Sequence, residues 1–132
     1  MKPEPETGGG FWRERLRSFR FAARGMRELL RAQGNARIHF AATIAVIVAG
    51  FALKVTAGEW SMLVLAIGSV WATEGANTAI ELLADRVSRE HDDLIGRAKD
   101  TAAGAVLLAA IAAAIVGVLI LGPRVWALIR GS

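Results

Sequence analysis

Residues Thr101–Leu121 read TAAGAVLLAAIAAAIVGVLIL, a run without a single charged side chain. At about 1.5 Å of rise per residue, a helix of this length crosses a hydrocarbon core of ~30 Å. Two further stretches, Ile38–Val55 and Trp60–Thr73, are almost free of charge, whereas Met1–Arg37 is dense in it. The chain has 132 residues, of which 54% are apolar and 7% aromatic, and its mean hydropathy is +0.41. A small water-soluble domain of this composition would have too few polar residues to cover its surface. The fold class that follows is an all-α membrane protein. An N-terminal amphipathic surface helix is expected to precede three transmembrane helices.

Cysteine is absent, which excludes a disulfide scaffold, a Cys-based zinc site and a thiol nucleophile. The net charge of +4 and pI near 10.6 could suit nucleic acid, but the basic residues flank apolar spans and read first as topology signals.

Working outward, residues 1–10 (MKPEPETGGG) read as a disordered tail. Nine basic residues precede the first apolar stretch and no small-residue cleavage site follows it, so a secretory signal is not expected. Residues 11–34 form the surface helix: Trp12, Leu16, Phe19, Ala23, Met26 and Leu30 recur at steps of three and four, with arginines on the other faces. Such a basic amphipathic helix beside a span lies in the headgroup interface, or alternatively packs on the spans themselves.

Residues 35–122 hold the three spans, and 123–132 a short C-terminal tail. The first span is expected over Ala36–Val55, with Ala57 and Gly58 as a minimal turn. The second runs from Glu59 to Leu83, and Asp85–Asp100 forms a polar loop. Pro123 is expected to stop the third span.

Three spans put the N-terminus and the long loop on one side. That side holds Lys2, Arg13, Arg15, Arg17, Arg20, Arg24, Arg27, Arg31, Arg37, Arg86, Arg89, Arg97 and Lys99; the other holds Lys54, Arg124 and Arg130. This imbalance predicts that the N-terminus and long loop face the cytoplasm. Ala105, Ala109, Ala113 and Gly117 form a small-residue stripe on the third span, which lets helices approach closely in lipid and predicts self-association.

Glu74, Asn77, Glu81 and Asp85 fall within roughly 80° of one another on one helix face. Ionisable residues in a span cost at least a few kcal/mol, so they face protein, water or a metal. Carboxylates with an amide oxygen suit Mg²⁺, which brings phosphates with it, and Lys99 is placed to meet a phosphate. A nucleotide site at the cytoplasmic surface follows, although the common phosphate-cradling loop GxxxxGK[ST] is absent. His39, at the membrane edge of the first span, and His91, in the loop, read as interfacial or solvated residues without a catalytic role.

The run Glu74-Gly-Ala-Asn77-Thr-Ala-Ile-Glu81-Leu-Leu-Ala-Asp85, with Gly96-Arg97-Ala98-Lys99-Asp100 and the Ala102–Leu108 stretch after it, resembles the signature of the prokaryotic diacylglycerol kinase and undecaprenol kinase family. The resemblance covers roughly Arg15–Leu121. It implies a homotrimeric enzyme of the bacterial inner membrane that transfers the γ-phosphoryl of MgATP to a lipid hydroxyl. It further implies Glu74 as general base and lipid contact, Asn77 as its support, Glu81 as metal ligand and ATP contact, and Lys99 and Asp100 as holders of the nucleotide. Arg17 and Arg20 are implied contacts to phosphate or headgroup.

Three positions depart from the family pattern. Gln33 stands where the family has a second metal-ligating Glu, and Glu28 is a nearby acid that could substitute. Glu90-His91-Asp92 replaces Glu-Tyr-His near adenine or ribose, and Phe21 replaces a Tyr of the surface helix. The stretches Asn35–His39, Gly50–Lys54 and Glu59-Trp60 look more like the undecaprenol kinase branch. Two other function classes remain open at this point. A non-catalytic adaptor derived from the kinase would be consistent with Gln33, and a small ion transporter with the intramembrane acids.

Overall fold

The computed structural model describes residues 9–32, 34–87 and 92–131. Within them the chain forms four helices: α1 (Gly9–Ala32), α2 (Gly34–Ala52), α3 (Ala57–Val87) and α4 (Asp93–Arg130). Helices α3 and α4 form the dominant pair, α2 leans on both, and α1 touches α2 and α3. Two of the four, α2 and α4, are long and apolar enough to cross a membrane. The apolar part of α3, Trp60–Thr73, is shorter, and the helix continues into the polar stripe.

Most of the large apolar side chains have no cover within the chain. Phe51, Leu65, Leu107, Leu108, Val118 and Leu119 are all exposed, against a core of a few residues such as Leu63, Val70, Val106 and Ile120. In water so continuous an apolar surface would drive association. In lipid it is the expected exterior. The composition and the fold therefore agree on an all-α membrane protein.

The α2–α3 corner shows how local chemistry fixes the chain path. The Val55 amide donates to the Gly50 carbonyl (3.1 Å) and the Lys54 amide to the Phe51 carbonyl (3.2 Å). This pair of bonds is a Schellman motif. Lys54 occupies its left-handed position (φ 51°), where glycine is usual. Thr56 and Glu59 then cap α3 reciprocally. The Glu59 amide donates to Thr56 Oγ1 (3.3 Å), and the Thr56 amide donates to Glu59 Oε2 (2.7 Å). The turn is thus Leu53–Thr56, and Ala57 and Gly58, expected to make it, are already the first turn of α3. Gly50 is required by packing, since a Cβ there would lie 2.7 Å from the Trp60 ring.

At the far end of α4 the expected stop at Pro123 is not observed. The helix runs through Pro123 to Arg130, so residues 123–130 are helical and not a tail. Proline removes one backbone donor, a loss that membrane helices tolerate. The next residue, Arg124, bonds the Ile120 carbonyl (3.0 Å) and grips both oxygens of Glu59 at 2.7 Å. That fork ties the end of α4 to the start of α3 beside the apolar cluster of Val55, Leu63 and Ile120.

The other boundaries shift similarly. Helix α1 begins at Gly9, inside the expected tail, and ends at Ala32. The expected loop over 85–100 is largely helical, because Asp85–Val87 finish α3 and Asp93–Asp100 open α4. On α1 the apolar residues Trp12, Leu16 and Phe19 are exposed, while Leu29 near its C-terminal end is buried. Helix α1 is thus anchored on the rest of the chain mainly through its C-terminal half.

Candidate active site

The polar stripe of α3 turns toward α2 and α4. Glu74 is 1% exposed, and Asn77 and Thr78 are also buried. Thr78 departs from the stripe and lines a separate cavity of about 500 Å³ between α1 and α3, together with Phe21, Glu28 and Trp71. Glu74, Asn77 and Glu81 line a cavity of about 260 Å³ with Asn35, Ile38 and His39 of α2. Small or apolar residues of α4 (Ala103, Val106, Leu107, Ala110) close the opposite wall. The cavity is therefore polar on α3 and at the first turns of α2, and apolar on α4. A hydrogen bond from Trp71 Nε1 to Thr43 Oγ1 (3.1 Å) fixes α2 against α3 at this level.

Within the cavity the partners are unequally distributed. Asn77 Nδ2 donates to Glu81 Oε1 (3.2 Å), which orients the Glu81 carboxylate. Both oxygens of Glu74 and the Oδ1 of Asn77 are buried and accept no hydrogen bond among the described residues. Buried polar atoms without partners are rare and costly, and they concentrate where a ligand or reaction supplies the missing partner. His39 Nε2 lies 3.9 Å from Glu74 Oε2, within ion-pair reach but beyond a direct hydrogen bond.

Asp85, the fourth residue of the stripe, does not join the cavity. It is exposed at the end of α3, where Lys99 Nζ donates to its Oδ1 (3.1 Å). Two residues implied as nucleotide contacts, Lys99 and Asp100, thus sit at the polar end of the α3–α4 pair. Asp100 is exposed there. Asp92 acts locally, since its Oδ1 accepts the amides of Leu94 (2.8 Å) and Ile95 (3.2 Å) and so caps α4. Arg17 and Arg20 are exposed on α1. Phe21, lacking the tyrosine hydroxyl, lies between two guanidinium groups, with Arg17 Cζ 5.5 Å and Arg24 Cζ 5.9 Å from the ring centre. Glu28, the possible substitute ligand, lines the α1–α3 cavity and not the one containing Glu74. Gln33, Glu90 and His91 lie outside the described residues.

These positions separate an interhelical cavity holding Glu74 from a polar rim holding Lys99. Residues 20–121 match the prokaryotic diacylglycerol kinase family, which is most of the chain. The chain belongs to that family. It is similar to an undecaprenol kinase of Bacillus subtilis, with 39% identity over 83% of this chain and 89% of the relative. A diacylglycerol kinase of a Synechocystis species is 44% identical over 82% of this chain and 62% of its own length. The diacylglycerol kinase of Escherichia coli K12 is 40% identical over 57% of this chain and 61% of its own. The protein is thus a membrane-integral lipid kinase.

The residue that sequence reasoning missed is His39. Its position in the sequence suggests the membrane surface and no role, yet it lines the cavity beside Glu74. A signal was present: apart from Lys54 at its far end, His39 is the ionisable residue of the first apolar stretch. Ionisable side chains inside spans are functional candidates by default.

Proposed function

We propose that this kinase uses ATP and Mg²⁺ to phosphorylate a membrane lipid hydroxyl, with undecaprenol preferred over diacylglycerol. The observation that carries the reading is Glu74: a carboxylate buried at an interhelical cavity, with both oxygens unpartnered among the described residues. A hydroxyl entering that cavity from the bilayer would supply the missing donor. Glu74 then accepts its proton as the oxygen forms a bond to the γ-phosphorus and the bond to ADP breaks. Asn77 holds Glu81 in place through its amide.

The donors suit Mg²⁺. Glu81 offers a carboxylate at the cavity rim and Gln33 a neutral carbonyl oxygen. Among the described residues no three acidic or histidine side chains form a metal cluster. Mg²⁺ takes one or two carboxylates and completes its shell with phosphates and water, which fits so lean a set. When bound, it neutralises the phosphate charge that develops during transfer. Lys99, at the polar end of α3 and α4, exchanges Asp85 for a phosphate, and the exposed Arg17 and Arg20 of α1 offer further phosphate or headgroup contacts. Phe21 and Asp100 complete the nucleotide contacts together with Glu90 and His91, while Asp92 shapes that edge by capping α4.

Several features extend this reading to the whole protein. The charge imbalance places the N-terminus and the α3–α4 connection in the cytoplasm of a bacterial inner membrane. Helix α3 is the remaining span beside α2 and α4, its shorter apolar part completed by neighbours. The small-residue stripe of α4 supports self-association, and a homotrimer is what the family resemblance implies. The preference for undecaprenol rests on the relative named for that lipid, which this chain matches over nearly its whole length.

The test is phosphate transfer from labelled ATP in detergent micelles, with undecaprenol and diacylglycerol offered separately and Mg²⁺ present. The reading expects a phosphorylated product with undecaprenol at the higher kcat/KM. No product with either lipid, from folded protein, would favour the non-catalytic adaptor.

A further inference from the structure

General-base catalysis leaves Glu74 protonated after each turnover, and the base must lose that proton before the next. At 1% exposure, and with no hydrogen-bond partner on either oxygen among the described residues, its carboxyl group makes no direct contact with bulk water. Among the described residues, His39 is the titratable group brought to ion-pair distance of it, at 3.9 Å. The His39 side chain is 17% exposed, in the early turns of α2 between cavity-lining Asn35 and Thr43. Glu81 shares the cavity, and Lys99 lies outside it. Glu81 receives the Asn77 amide, and Lys99 is paired with Asp85.

Resting on Glu74 as the base, we infer that His39 relays the proton that Glu74 takes from the lipid hydroxyl out to water. The protons balance in three transfers. The hydroxyl proton passes to Glu74 as the new P–O bond forms. Glu74 Oε2 passes it to the neutral His39 Nε2, and the resulting imidazolium releases it to solvent. An imidazole suits such a relay because its ordinary pKa lies near neutrality, so it accepts and releases with little penalty. The relay requires the tautomer with the proton on Nδ1, leaving Nε2 free to accept. The 3.9 Å gap is closed by a small side-chain adjustment or one bridging water when substrate is bound. His39 touches no reacting atom in this scheme; it acts through Glu74.

The test compares wild type with His39→Ala and His39→Gln in micelles containing undecaprenol, ATP and Mg²⁺, with Glu74→Gln as control. Thermal unfolding in detergent establishes that each variant is folded. Both His39 variants are expected to lose about 10- to 100-fold in kcat, with KM for lipid and ATP within about twofold of wild type. Added imidazole should restore part of the rate to His39→Ala, whose missing ring leaves space for it, and none to Glu74→Gln. Unchanged kcat in His39→Ala would overturn the relay. So would full activity in His39→Gln, which retains a polar group but cannot take up and release a proton, or a loss confined to KM, or failure of imidazole to rescue. Inactive wild type, or a fully active Glu74→Gln, would instead refute the kinase reading or the base on which the relay depends.

Discussion

Glu74 and Gln are nearly the same shape, so Glu74→Gln removes the proton acceptor while leaving the packing between α2, α3 and α4 in place. Because both carboxylate oxygens lack partners among the described residues, the substitution breaks no hydrogen bond there. Lipid phosphorylation is expected to fall by about 100-fold or more, with the unfolding midpoint in detergent unchanged or raised. Retention of wild-type kcat would remove Glu74 from the chemistry. At this scale the site was partly legible in the sequence. Glu74, Asn77 and Glu81 announce themselves because one helix carries all three and its period places them on one face. His39 did not, because its proximity to Glu74 depends on how α2 docks on α3, which no spacing along either helix encodes. Asp85 fell on the same face by angle, but it is exposed near the end of α3, where it pairs with Lys99 of α4.

Helix ends follow a different logic, set by a few local bonds. Lys54 sits in the left-handed region, where an L side chain costs about 1–2 kcal/mol and glycine costs nothing steric. Glycine's extra freedom in the unfolded chain offsets part of this, so Lys54→Gly should stabilise the fold by about 0.5–1 kcal/mol. The measurement is the unfolding midpoint in detergent; a lowered midpoint would show that Lys54 makes a contact the turn geometry does not reveal. At the same end of the bundle, Arg124 binds Glu59 through both guanidinium nitrogens. Glu59→Ala and Arg124→Ala should each lower the midpoint, and the double variant should lose less than the sum of the two. Strict additivity would mean that the fork contributes nothing beyond its separate parts. The Thr56-x-x-Glu59 cap is a sequence pattern in its own right and could have located the start of α3. The continuation past Pro123 could not be read in the same way, because proline's local preference is overridden by the tie from Arg124 to α3.

Taken as a whole, the molecule is a thin layer of helices whose few buried side chains leave most of its apolar surface open. Helix α4 alone spans roughly 57 Å at 1.5 Å per residue, so it exceeds the hydrocarbon core and must carry its polar first turns, Asp93–Asp100, out of it. Lipid covers an apolar exterior adequately, but it does not drive helices together; close backbone approach does, and that needs small residues. Gly117 belongs to the small-residue stripe of α4, and a Cβ built there meets nothing within 4 Å inside the chain. A Cβ is tolerated there within one chain, where Gly117 lines the open groove between α2, α3 and α4, so a Leu tests what fills that groove in the proposed trimer. Gly117→Leu is expected to leave the helical content of the protein unchanged while shifting the proposed trimer toward monomer in detergent, read by light scattering coupled to size exclusion. Lipid kinase activity should fall in step with the loss of trimer if the cavity of one protomer depends on nucleotide contacts from another. A trimer that persists in this variant would place the contact on a different face of α4, and an active monomer would show that one chain gathers Glu74, Glu81 and Lys99 around the substrate unaided.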